Sequence, residues 1–149
     1  MRLATPQRTV TYRSDTSRSD IWTRFAVRTG DIFICTPPKS GTTWMQSICG
    51  MLVFGDAGAD PGIGTTSRWL DSAFNEEAEV LAFLDAQSHR RYIKTHTPLD
   101  GITYAPDCTY LTVYRHPLDA IFSAQNHVRN MKNGTLDHLI ADDMNEALK

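Results

Sequence analysis

The residues best suited to chemistry lie in Cys35-Thr36-Pro37-Pro38-Lys39-Ser40-Gly41-Thr42-Thr43-Trp44. A lysine, a glycine and several hydroxyls sit between an apolar run and an amphipathic one. That order reads as strand, tight loop, helix. Such a loop holds a phosphate: backbone N–H groups and the positive end of the helix dipole face the anion, and Lys39 adds a full charge. The nucleotide-triphosphate loop needs G-x-x-x-x-G-K-S/T. Here the lysine precedes the glycine, so this is a cradle of another kind.

Two further segments carry the same kind of residue. Lys94-Thr95-His96 ends an apolar run, and a histidine near its free pKa is a natural general base at neutral pH. An ordinary polar loop histidine is the competing reading for His96. Arg115 closes a third run, and its fork can pair with a phosphate through two parallel bonds. Ser123 follows eight residues later, about two helical turns on. A salt bridge from Arg115 to Asp119 is the plain alternative. His89, His116, His127 and His138 read as ordinary polar histidines, and no spacing among histidines and carboxylates marks a metal site.

The elements that position these residues follow from the pattern. Residues 31–36 contain the continuous apolar run Ile32-Phe33-Ile34-Cys35, as in a strand covered on both faces. A helix begins near Gly41, with Trp44, Ile48, Met51 and Leu52 predicted as its buried stripe. Residues 55–67 are rich in glycine and read as a loop, long enough to form a functional rim. A helix is expected over 75–87, with Asn75 as N-cap, Glu76 and Glu77 in its first turn, and Val80, Leu81 and Leu84 as its apolar face. Strands are expected over 91–95 and 109–114. Pro117 suits a first helical position, with Leu118, Ile121, Phe122, Gln125 and Val128 following the helical period. A last helix is expected from Thr135 onward. Strands alternating with helices predict an α/β fold with a mostly parallel sheet, whose ligands bind beyond the carboxyl ends of the strands.

The whole chain sets bounds. Its 149 residues are 41% hydrophobic, enough for one domain with a real core. Fifteen Lys and Arg against 17 Asp and Glu leave a net charge of −2. That balance argues against bulk binding to nucleic acid or membrane, so any anion site must be local. Cys35, Cys49 and Cys108 are scattered and odd in number, which favours a reducing compartment. There is no apolar region of signal type and no run near the ~20 residues of a membrane span. A cytoplasmic location is expected. Residues 1–20 read as a polar, solvated tail in which Arg2, Arg8, Arg13 and Arg18 could form an anion patch. Ile21-Trp22-Thr23-Arg24-Phe25 reads as a short segment packed on the body, opening a single domain over 21–149.

Together the motifs resemble the cytosolic-type sulfotransferases, from about Phe25 to His127. Pro38-Lys39-Ser40-Gly41-Thr42-Thr43-Trp44 resembles their 5′-phosphosulfate loop, and Lys94-Thr95-His96 their K-T-H segment. Arg115-His116-Pro117 with Asp119 and Ser123 resembles their 3′-phosphate motif. Pro37 departs from the aromatic residue of the best-known animal members. The resemblance implies a P-loop-like parallel sheet flanked by helices. It implies 3′-phosphoadenosine 5′-phosphosulfate (PAPS) as donor, no metal, and a small-molecule alcohol, phenol or amine as acceptor. Lys39 would bind the 5′-phosphate and the bridging oxygen, helped by Ser40, Gly41, Thr42 and Thr43. Trp44 would stack on adenine, Arg115 and Ser123 would bind the 3′-phosphate, His96 would take the acceptor proton, and Lys94 would support charge on the transferring group. Trp69-Leu70-Asp71, Phe74 and the Tyr104 region either line the acceptor pocket or belong to the core.

The family's later R-K-G-x-x-G segment has no counterpart; Lys132-Asn133-Gly134 is misplaced and incomplete. The chain therefore reads as the N-terminal half of a truncated sulfotransferase, with weak donor binding and little or no activity alone. Two alternatives remain, a non-catalytic remnant and, with less support, a P-loop small-molecule kinase that would need Mg²⁺.

Overall fold

Four consecutive apolar residues fit a strand with both faces covered, and that is what Ile32–Cys35 (β1) forms, all four side chains buried. The computed structural model describes residues 6–55 and 62–130. Tyr92–Thr95 (β2) and Thr109–Leu111 (β3) pair with β1 on either side, both in parallel, giving a three-stranded sheet of order β2-β1-β3. The register is Ile32 opposite Tyr92 and Thr109, running to Cys35 opposite Thr95 and Ile34 opposite Leu111. Helices Thr42–Phe54 (α1), Ile63–Thr66 (α2), Glu77–Asp85 (α3) and Pro117–Arg129 (α4) complete the α/β fold.

The strands alternate between two cores, as a period of two requires. Phe33, Cys35 and Ile93 face a cluster with Ile21, Trp22, Phe25, Leu70, Val80, Leu84 and Ile102. Ile32, Ile34 and Tyr92 face Cys49, with Met45 and Val53 packed alongside. Met45, Cys49 and Val53 are four residues apart, so they form the face that α1 lays on the sheet. The predicted buried stripe of α1 is therefore incorrect. Trp44 and Leu52 are 80% and 77% exposed, and Ile48 and Met51 are exposed too. Helix α1 has two apolar faces, and the sheet takes the other one.

Other boundaries also shift. Strand β3 stops at Leu111, three residues short of the expected end. Helix α3 starts at Glu77 after Glu76, without a side-chain cap, and the carbonyl of Asn75 instead accepts from Arg18 Nη2 at 2.7 Å. Val80 and Leu84 are buried as expected. The end of the predicted 55–67 loop is helical and docked rather than a rim. Ser67 Oγ donates to the Tyr92 carbonyl at 2.6 Å and accepts from Gln46 Nε2 at 2.9 Å. Pro117 opens α4, of whose expected apolar positions only Val128 is fully buried. The helix expected from Thr135 lies outside the described residues.

Residues 6–20 are largely exposed, as a polar segment should be, yet they are anchored to the body. Ser19 is buried, its hydroxyl accepts from the Tyr12 amide at 2.8 Å, and the Tyr12 hydroxyl donates to Asp100 at 3.0 Å. Gly101 permits this docking, because a Cβ there would lie 2.6 Å from both Tyr12 and Thr97. The segment from Ile21 packs on the body as expected, with Ile21 and Trp22 buried in a short 3₁₀ helix, Ser19–Thr23.

Asp31 and Arg91 form a fully buried ion pair at the root of the sheet, both 2% exposed. Arg91 Nε donates to Oδ1 at 2.8 Å and Nη2 to Oδ2 at 2.5 Å. Two further N–H groups donate to the carbonyls of Ala26 and Leu84, and the Arg28 amide donates to Asp31 Oδ2. Removing one member leaves the other charge buried and unpaired. Arg91→Met is expected to lower stability in urea unfolding by about 3–5 kcal/mol; a loss below about 1 kcal/mol would contradict this role.

Candidate functional site

Each parallel strand delivers its following loop to the same edge of the sheet. After β1, two prolines stiffen the chain, and Lys39 adopts a left-handed φ of 63°. That conformation is uncommon outside glycine and carries a cost of about 1–3 kcal/mol. Gly41 follows at φ 96°, as the N-cap of α1. Gly41 has no side chain to cap the helix, so the helix N-terminus is bare. The first intrahelical bond recorded runs from the Met45 amide to the Gly41 carbonyl at 3.1 Å, leaving the amides of Thr42, Thr43 and Trp44 as open donors. Thr42 Oγ1 lies 2.5 Å from Thr36 Oγ1, which ties the start of the helix to the end of the strand. The Thr42 hydroxyl is thus engaged inside the protein. Ser40 is also buried, whereas Thr43 and Trp44 are exposed.

At the end of β2, alternation sends Thr95 to one face and Lys94 and His96 to the other. His96 Nδ1 lies 2.7 Å from the Thr36 carbonyl. A carbonyl only accepts, so Nδ1 carries the proton and Nε2 keeps its lone pair. Burial pushes the His96 pKa down, and Lys94 adds to the effect; the Thr36 bond and the charge of Asp71 oppose it. Burial likewise pushes Lys94 down, with Asp71 opposing and Lys39 adding. The Lys94 ammonium sits 4.3 Å above the Trp69 ring. The same indole meets the His96 ring edge-on, 4.8 Å between centroids.

After β3, Arg115 Nη1 donates to the Lys39 carbonyl at 3.3 Å, joining the third strand end to the first. Among the described residues no ion pair links Arg115 to Asp119, so the plain alternative for Arg115 fails. Ser123 is half-buried on α4. The structure therefore brings Lys39, Lys94, His96 and Arg115 to one edge, with Ser40 to Trp44 beside them. Among the described residues no hydrogen bond joins Ser123 to the other site residues.

Three residues gain a place that spacing did not assign. The pKa of His127, read as ordinary, is pushed down by burial and by the charges of Lys39 and Lys94. Trp69 is the aromatic floor of Lys94 and His96, with Phe74 edge-on to it at 6.1 Å. Asp71 is fully buried; a carboxylate inside the apolar run Trp69-Leu70-Asp71 was the available signal. Leu70 belongs to the core. Tyr104 stacks on Tyr110 and lines a separate cavity of 180 Å³ with Leu99 and Ile102, without contact to His96. Among the described residues no three potential metal ligands cluster, and no helix is long and apolar enough to cross a membrane.

A sequence model described as "Sulfotransferase domain" matches residues 29–148, and so spans all three strand ends. The chain belongs to the sulfotransferase family. It is 43% identical over 122 residues to a glycolipid sulfotransferase of Mycobacterium tuberculosis, covering 82% of this chain and 37% of that protein. It is 30% identical over 128 residues to human sulfotransferase 2A1, covering 83% and 44%. The chain thus spans less than half the length of these relatives. Its fold matches mouse sulfotransferase SULT7A1 complexed with PAP, at a TM-score of 0.62 and 21% identity, over 87% of this chain and 43% of that one. It also matches retinol dehydratase in a complex with retinol and PAP, at 0.60 and 19%, over 79% and 46%.

His96 and His127 share one direction of shift in this sulfotransferase fold. The unfolded chain takes up protons first, so their contribution to stability is fully present above about pH 6.5. It is lost as pH falls through the lower, folded midpoints. The His96 imidazole is expected to titrate below about 6.5 in ¹H–¹⁵N spectra; a midpoint above that value would contradict the buried, cation-flanked setting.

Proposed function

We propose that this chain carries the donor-binding and proton-accepting groups of a PAPS-dependent sulfotransferase. The observation that carries the reading is the bond from His96 Nδ1 to the Thr36 carbonyl. It fixes the tautomer with Nε2 free, on the same loop that presents Lys39 and the bare α1 terminus. That strand–loop–helix unit is P-loop-like in shape, with its lysine ahead of its glycine.

The residues present fit a nucleotide with two phosphate positions. Open amides at Thr42 to Trp44, with Lys39, Ser40 and Gly41, suit the 5′ side. Arg115 spends one N–H on Lys39 and retains four for a 3′-phosphate, with Ser123 as its helical partner. The exposed Trp44 offers a face to adenine. His96 Nε2 takes the proton of an acceptor hydroxyl or amine as that atom bonds to sulfur and the bond from sulfur to the 5′-phosphate oxygen breaks. Lys39 and the α1 amides meet the charge appearing on the phosphate, and Lys94 meets charge on the sulfuryl oxygens. The likeness to the mycobacterial glycolipid sulfotransferase supports a small-molecule acceptor and favours a lipid-like or sugar alcohol. Three free cysteines support a reducing, cytoplasmic setting.

Calorimetric titration with adenosine 3′,5′-bisphosphate tests the donor site. Lys39→Ala and Arg115→Ala are each expected to weaken binding about tenfold or more, since each removes a charge-assisted contact. Unchanged affinity in either would overturn the assignment. Turnover of a phenol or lipid alcohol with PAPS, reduced about 10²–10⁴-fold in His96→Ala, separates catalysis from binding alone.

A further inference from the structure

Asp71 is a buried carboxylate to which the proposed reaction gives no task. Its Oδ1 accepts from Trp69 Nε1 at 2.6 Å. Its Oδ2 accepts from Trp22 Nε1 at 3.1 Å, from Thr97 Oγ1 at 2.6 Å and from Thr95 Oγ1. Every side-chain donor is neutral, and among the described residues no cation pairs with it directly. Burying a carboxylate is costly, and these bonds offset the cost. They do not explain why a charge stands here.

The surroundings supply a reason. Trp69 lies beside Lys94 in a short parallel bridge, with the Leu70 amide on the Lys94 carbonyl at 2.9 Å and the Lys94 amide on the Arg68 carbonyl at 3.0 Å. The backbone thus sets Trp69 next to β2, and Asp71 fixes where its indole points. That indole is the surface on which both the Lys94 ammonium and the His96 ring rest. We propose that Asp71 is a positioning residue of the sulfuryl-transfer site: it holds the Trp69 indole against His96 and Lys94 and supplies the fixed negative charge facing both. The inference rests on the reading of His96 as proton acceptor, because an imidazole that gains a proton gains most from such a charge.

The charged and titratable groups acting on His96 are Lys94 and Asp71, so the two functions of Asp71 separate by sign. In ¹H–¹⁵N imidazole spectra of the whole chain, Asp71→Asn removes the charge and is expected to move the His96 midpoint further down. Trp69→Phe loses the tether and opens the site to water, moving the midpoint up and mixing the tautomers. Trp22→Phe also loses a bond to Asp71 but touches neither His96 nor Lys94, and is expected to leave both readouts in place. An unchanged or raised midpoint in a folded Asp71→Asn would overturn the proposal. So would an equal response in Trp22→Phe and Trp69→Phe, a contrast that decides the matter if Asp71→Asn does not fold. These readouts need no turnover. Full turnover in His96→Ala would instead sink the proton-acceptor reading and leave the Asp71 link standing.

Discussion

Asp31 ties the three strands together at their roots. Its carboxylate holds Arg91, the residue before β2, and its carbonyl accepts from the Thr109 amide at the start of β3. The strands are only four, four and three residues long, so fixing their starts fixes their ends. A slip of one residue would reverse every side chain between the two cores. It would also carry Lys94 and His96 to the face now held by Thr95. The ion pair is costly to bury, and replacing both members with apolar residues is often neutral in other proteins. Its value here lies in register: a satisfied pair is compatible with one alignment of β1 and β2.

The edge so defined is electrostatically unbalanced. Lys39, Lys94, Arg115 and the α1 N-terminus converge there, and the carboxylate that acts on Lys94 and His96, Asp71, is buried. Lys94, His96 and His127 each have their protonated forms disfavoured by burial and by neighbouring lysines. An entering anion adds an attraction to each protonated form, which opposes the repulsion from the lysines. The left-handed Lys39 belongs to the same picture, as local strain held by the surrounding loop.

Much of this was legible in the sequence because it rests on local rules. The unbroken apolar run at Ile32-Phe33-Ile34-Cys35 required a two-faced strand, and Pro117 marked a helix start. The loop after β1, the Lys94-Thr95-His96 segment and Arg115 each lie at or after the end of a strand, so a parallel sheet had to bring them together. What escaped depended on which of two options the tertiary structure took. Helix α1 has apolar residues on two faces, and periodicity alone does not say that Met45, Cys49 and Val53 meet the sheet while Trp44 and Leu52 stay outside. The polarity of residues 6–20 hid their docking, because Ser19 and Tyr12 are held by hydrogen bonds rather than by apolar burial. Asp71 stood in the sequence only as part of Trp69-Leu70-Asp71, and its bonds to Trp69, Thr95 and Thr97 follow from the fold.

The central claim is that one sheet edge holds both ends of a bisphosphorylated nucleotide. A crystal structure of this chain with adenosine 3′,5′-bisphosphate tests it most directly. The expected result is the 5′-phosphate on the Thr42 to Trp44 amides and Lys39, with the 3′-phosphate on Arg115. A nucleotide bound elsewhere, or one whose 3′-phosphate meets neither Arg115 nor Ser123, would contradict it.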